Sequence, residues 1–372
     1  MLRRRSRVLL FLLAGVVLAG VLTVFLATRS SMGEHALADC PDSALTCPGG
    51  TPPPDDGAAP SPGTSPGTTV PGAGSGTPVP LPTVTPPTSK GTSPGTGKPA
   101  PSGPCASFSA CGFPDASTTG PRVALKPHNT GALSITKDGT VIRGWDITGS
   151  LDIYANNVTI IDSRITSTNW WGVNLRPKFS GLRVLHSTIT GIPGKGPDNG
   201  GEDYGVSNMG GSSVEVGWCE ITVFSNSLSM GQGNLHDNYV HDIVPFINQG
   251  GEWAHTDAVI SDGAGSAPLI IRHNTLLNPT GVEKGGTASV GLYDDTGAVL
   301  TTVVDDNWLA GGSYALYGGG PGAKGIQITD NVFSTQYHPN SGHYGAVAKW
   351  NAGGAGNVWS GNRMSNGTPV HP

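Results

Sequence analysis

Alternating apolar and polar positions recur from residue 158 to the end of the chain, in eight segments of one grammar. They start at Val158 (VTIIDSRIT), Leu182 (LRVLHSTIT), Val214 (VEVGWCEIT), Gly233 (GNLHDNYVH), Leu269 (LIIRHNTLL), Thr302 (TVVDDNWLA), Ile326 (IQITDNVFS) and Asn357 (NVWSGNRMS). In each, apolar or β-branched residues at every second position lead to a small polar residue and then another apolar pair. Alternation of this kind over short runs predicts strands, not helices. The polar residue is Ser163, Ser187, Cys219, Asn238, Asn274, Asn307, Asn331 and Asn362, at steps of 24, 32, 19, 36, 33, 24 and 31 residues. A second strand recurs between these segments, at 170–176, 203–209, 226–232, 255–261, 289–295, 313–319 and 344–350.

Repeats of roughly 20–35 residues, built from two or three short strands without a helical stretch, predict a parallel β-solenoid. The count of segments gives about eight coils. The lack of strand–helix alternation excludes a doubly wound sheet. A sandwich needs antiparallel hairpins, and the Asn-Gly or Asp-Gly turns that mark them are missing between matching runs. Residues 140–148 (TVIRGWDIT) match 158–166 at an offset of 18, which is short for a coil and predicts a compact opening turn. The polar position follows from stacking. Equivalent residues of successive coils lie about 4.8 Å apart. An Asn there can donate to the next Asn and also satisfy buried turn backbone.

Composition agrees, with 57 glycines and only 13% charged residues in 372. The net charge of −5 offers no basic field for nucleic acid. Residues 1–7 are basic and 8–27 are apolar or small throughout. That run is long enough to span a bilayer as a helix, with the arginines holding the N-terminus in the cytoplasm. Residues 1–30 are thus expected to be a signal-anchor or a cleaved signal peptide. Either places the rest outside the cytoplasm, secreted or membrane-anchored. Residues 31–104 read as a disordered linker, since 28–104 lack aromatics and 52–104 hold 16 of the 31 prolines. One folded domain is expected over 105–372. The close pairs Cys40/Cys47 and Cys105/Cys111 suit two small disulfide loops in an exported protein. Cys219, in the Asn slot, is expected to be a buried thiol. No heptad argues for a coiled-coil trimer.

The stacked V-x-I-x-x-N-x-I segments resemble the right-handed parallel β-helix, or pectin-lyase-like, superfamily over roughly 120–372. CGFPDASTTG (from Cys111) after a Pro-rich stalk is similar to exported actinobacterial members. The resemblance implies an all-β right-handed parallel β-helix with a substrate groove along one outer face. It also implies action on polysaccharide, as a uronate-type lyase or a glycoside hydrolase. A glycan-binding or structural rod is the alternative.

Measured against the polar ladder, the overlong loops are 192–205, 244–257 and 278–289, and they carry most clustered ionisable groups. Glu252, His255 and Asp257 are the densest set. A His two residues from a carboxylate at a strand start places both on one face. With Lys284, these are the expected catalytic groups for acid–base chemistry. Asp203, Tyr204, Tyr293 and Arg272 are expected to contact substrate. Asp294 and Asp295 are the expected ligands of Ca²⁺ if a lyase cation is used. The run His255-Thr256-Asp257 with Asp294-Asp295 is faintly similar to polygalacturonase motifs, but the Arg-Ile-Lys of that family is absent. Trp171, Trp253, Tyr317 and Trp350 are candidate sugar-stacking rings. His236, His241, His273, Asp305, Asp306 and Asp330 adjoin the ladder and are expected to be structural.

Overall fold

A computed structural model of the chain describes residues 103–208, 212–263, 265 and 267–372. The apolar run 8–27, the Pro-rich stretch and the Cys40/Cys47 pair lie outside the described residues. No helix among the described residues is long and apolar enough to cross a membrane.

Short strands of two to seven residues stack into three parallel sheets of ten, nine and nine strands. The chain visits them in the cyclic order A, B, C, one strand of each per coil, which makes a parallel β-helix. Each repeated segment supplies two strands, one to sheet C and the next to sheet A, with the polar residue at the corner. The second recurring strand forms sheet B, for example Trp171–Leu175, Tyr204–Asn208 and Thr256–Ser261.

Register is kept by apolar columns. In sheet A, Ile147, Ile165, Ile189, Ile221, Val240, Leu276, Leu309 and Phe333 lie one above the next. In sheet C, Ile142, Ile160, Val184, Val216, Leu235, Ile271, Val304 and Ile328 do the same. All are buried, and each contributes roughly 2 kcal/mol of apolar burial.

The offset of 18 residues proves to be a whole coil. Val141–Arg143 pairs with Thr159–Ile161, and Trp145–Thr148 with Arg164–Ser167. Strands of three or four residues joined by tight corners fit one circuit into that length, so the expected opening turn is a full layer, stacked on the earlier strands Lys126–Asn129 and Leu133–Ile135.

The corner from sheet C to sheet A is built identically in coil after coil. The residue before the polar slot is left-handed at Gly144, Asp162, His186, Trp218, Asp237, His273, Asp306, Asp330 and Gly361. Holding a non-glycine residue there costs about 1 kcal/mol, which the ladder offsets. The N–H groups of Asn238, Asn274, Asn307 and Asn331 each donate to the Oδ1 of the next Asn at 2.9–3.1 Å. The Nδ2 groups donate to the same oxygens and to sheet C carbonyls one coil back, such as Leu235 and Ile271. Ser187 and Asn238 accept in the same way from Ser163 and Cys219. Cys219 is free and buried, and burial pushes its thiol up to about 12.

Residues 103–125 form no coil. They run along the outside of the corner, from the last coil back to the first. Cys105 N–H donates to the Ser365 carbonyl. Phe113 lies on His273 and Trp308, and the Pro114 carbonyl accepts from Thr275 Oγ1 at 2.7 Å. Gly120 N–H donates to the Trp218 carbonyl. Arg122 reaches the fully buried carboxylate of Asp162 at 2.7 Å. The disulfide Cys105–Cys111 closes the start of this strap.

Candidate functional site

The three overlong loops all connect sheet A to sheet B, so they stack on one side of the sheet B face. Near that wall, four polar side chains occupy neighbouring layers. Tyr204 pairs with Asn226, and Asn226 with Asp257. The Asp203 carbonyl accepts the Asn226 N–H at 2.7 Å. Two strand spacings, roughly 10 Å, therefore separate the Asp203 layer from the Asp257 layer.

Asp257 has no exposed surface. Its Oδ1 accepts from Tyr293 Oη at 3.0 Å, and its Oδ2 meets no protein donor. Burial drives its pKa well above the usual carboxylate range, the Tyr293 hydrogen bond opposes this, and Asp262 adds repulsion. Tyr293 folds back over Gly291, where a Cβ would come within 2.3 Å of its ring. The glycine thus makes the space that lets the ring seal Asp257.

Around this pair sit further acids. Asp203 is pushed up to about 7 by burial and by the charge of Asp198. Asp262, just past the Thr256–Ser261 strand, rises to about 6 through burial and Asp295. Burial, then Asp203, Asp262 and Asp198, raise the Tyr204 phenol, which places that ring within the field of both Asp203 and Asp262. On the far side of Asp203, Glu202 is driven up to about 7 by burial. It lines a separate cavity of about 150 Å³ with Val223, Val244 and Phe246.

Two of the residues expected from sequence touch, Asp257 and Tyr293, and two more, Asp203 and Tyr204, lie two layers away along the same sheet. The others do not join them. His255 and Glu252 are exposed on the loop wall, and no side-chain bond joins either to Asp257 among the described interactions. The strand starts at Thr256, so alternation does not yet govern residue 255. Lys284 is exposed in the short turn Val282–Lys284. Arg272 belongs to sheet C, a different face, where its Nε holds Asp305 at 2.9 Å. Asp294 lies against Gly320, and Asp295 is exposed. Neither joins a group of three acidic, His or Cys side chains able to hold a cation among the described residues, so the expected calcium donor set is not assembled.

Asp262 and Asn226 were missed from sequence. Asp262 follows a strand whose end the pattern does not mark, and Asn226 reads as an ordinary strand polar residue. The nine strands of sheet B contain no lysine or arginine. Arg176 and Lys349 directly follow two of these strands; Arg176 lies over the Tyr154 and Trp171 rings at 5.3 and 5.4 Å and is ion-paired with Asp152.

The histidines near the ladder do structural work. His236 bridges Glu215 and Asp237, and His273 holds the other oxygen of Asp237 at 2.7 Å. His186 stacks flat on Trp218 at 4.7 Å. Together with the strap they cover the corner.

Compared with known proteins, the chain matches no family model, no curated protein and no solved structure.

Proposed function

We propose that the sheet B face is a polysaccharide site and that its chemistry is glycoside hydrolysis. The observation that carries the reading is a set of half-buried carboxyls, raised by burial, around Tyr204 and beside three stacked loops. Burial raises both Asp203, to about 7, and Asp262, to about 6, so each can exchange a proton near neutral pH. Carboxyls of that kind suit general acid–base work on a glycosidic bond. Asp257 is sealed from solvent and serves as a positioning residue through Tyr293. The fold and the Asn ladder also support placing the chain in the pectin-lyase-like superfamily.

A uronate lyase fits less well. It needs positive charge against the substrate carboxylate and a base beside it. The sheet B strands carry no cation, Arg176 is engaged by Asp152, and the exposed Lys284 and Lys349 lie beyond the strand ends.

The test is a polysaccharide panel with the full chain. Wild type should release reducing ends from at least one glycan. Asp203→Asn and Asp262→Asn should each lower kcat by about 10²–10⁴-fold. Unsaturated products absorbing in the near ultraviolet would identify a lyase instead. Binding without release would favour a glycan-binding module.

A further inference from the structure

The two ends of the sheet B face differ. Toward the first coils the aromatic faces of Tyr154 and Trp171 are occupied by Arg176. Toward the last coils the rings continue, and among the described contacts no cation lies over their faces. Tyr293 lies 5.2 Å from Tyr317, Tyr317 5.5 Å from Tyr314, and Tyr314 5.9 Å from Tyr344. His343 stands edge-on to Tyr344 at 4.6 Å. Tyr344 is 62% exposed. The run begins at the ring that seals Asp257 and spans two coil steps, about 10 Å along the axis.

We propose that these tyrosines are a binding subsite for a neutral, β-linked pyranose chain, a xylan or β-glucan, laid along the axis toward the last coil. This rests on the polysaccharide reading above and specifies its substrate. The apolar C–H face of an equatorially substituted ring packs on an exposed tyrosine, and phenol hydroxyls bond the ring edge. An acidic polymer is disfavoured. Asp203, Asp262 and Asp294 outnumber the one exposed lysine at the end of the last strand, Lys349, so the face repels a uronate on balance. The tilts of 49°, 80° and 46° between successive rings make a bent wall that follows a twisted chain better than a flat crystalline surface.

Affinity electrophoresis of the full chain in xylan, mixed-linkage β-glucan and polygalacturonate gels tests this, using Asp262→Asn to suppress turnover. Retardation is expected in xylan or β-glucan and not in polygalacturonate. Tyr344→Ala and Tyr314→Ala should each weaken it about tenfold. Tyr344 is exposed, so its truncation leaves folding intact, and circular dichroism checks this for both variants. Equal retardation of variant and parent, no retardation in either neutral gel, or stronger retardation in polygalacturonate would each overturn the subsite. Binding lost in the tyrosine variants while wild type releases no reducing ends would retain the subsite and remove only the hydrolytic reading.

Discussion

A single ladder residue does several jobs at once. The Oδ1 of Asn274 accepts from both the N–H and the Nδ2 of Asn238, and its Nδ2 donates to the Leu235 and Arg272 carbonyls and to Asn307 Oδ1. Asn274→Ala leaves those buried groups without partners, so we expect a loss of about 2–4 kcal/mol in denaturant unfolding. Ser187→Ala should cost about 1 kcal/mol, because one N–H loses its acceptor. Equal losses would mean that the ladder acts through side-chain volume alone. The ladder was legible in sequence because stacking forces one residue type to recur at a fixed place in every coil. Site residues obey no such rule. Arg272 and Asp257 both sit among alternating strand residues, and only the coil's path decides that one faces sheet C's exterior and the other the sealed floor of sheet B.

At the scale of elements, the corner column sets a pH window. The hydrogen bond from His236, with Arg183, holds Glu215 down to about 2 from an ordinary 4.5. Its stabilisation is present above pH 4.5 and lost as pH falls through 2. Burial alone would lower His236, but its bonds to Asp237 and Glu215 prevail and raise it to about 9 from 6.5. That contribution is complete below pH 6.5 and lost as pH rises through 9. Asp203, raised by burial from 3.8 to about 7, contributes in full only below pH 3.8, and the contribution is gone once pH has risen through 7. Thermal melting should therefore peak near pH 4.5 and fall from there to 9, with the part of the fall between 6.5 and 9 reduced in His236→Gln. A midpoint that climbs from pH 6.5 to 9 would contradict this. Loop elements were legible by length, since any coil longer than its neighbours must bulge outward. Their side-chain directions were not, because loops follow no period.

Over the whole molecule, the strap was invisible in the sequence. Residues 103–125 carry no repeat, and their partners are up to 260 positions away, as with Cys105 and Ser365. Phe113 and Cys105 bury themselves with Leu277, Trp308, Ala310 and Val332 on the outside of sheet A. Removing the disulfide with Cys105→Ser and Cys111→Ser should cost about 2 kcal/mol and speed proteolysis within 103–125 ahead of the coils. Simultaneous cleavage of strap and coils would show instead that they unfold as one. The direction of the strap has a mechanical consequence. The chain enters at the last coil and travels back to the first before coiling begins. A pull on Gly103 directed away from the last coil loads Arg122–Asp162, Gly120–Trp218, Thr275–Pro114 and the Phe113 stack in shear, all together. The first layer, with its unpaired strand edges, bears that tension only after the strap has failed. A load applied at Gly103 therefore reaches the strap before it reaches the first layer.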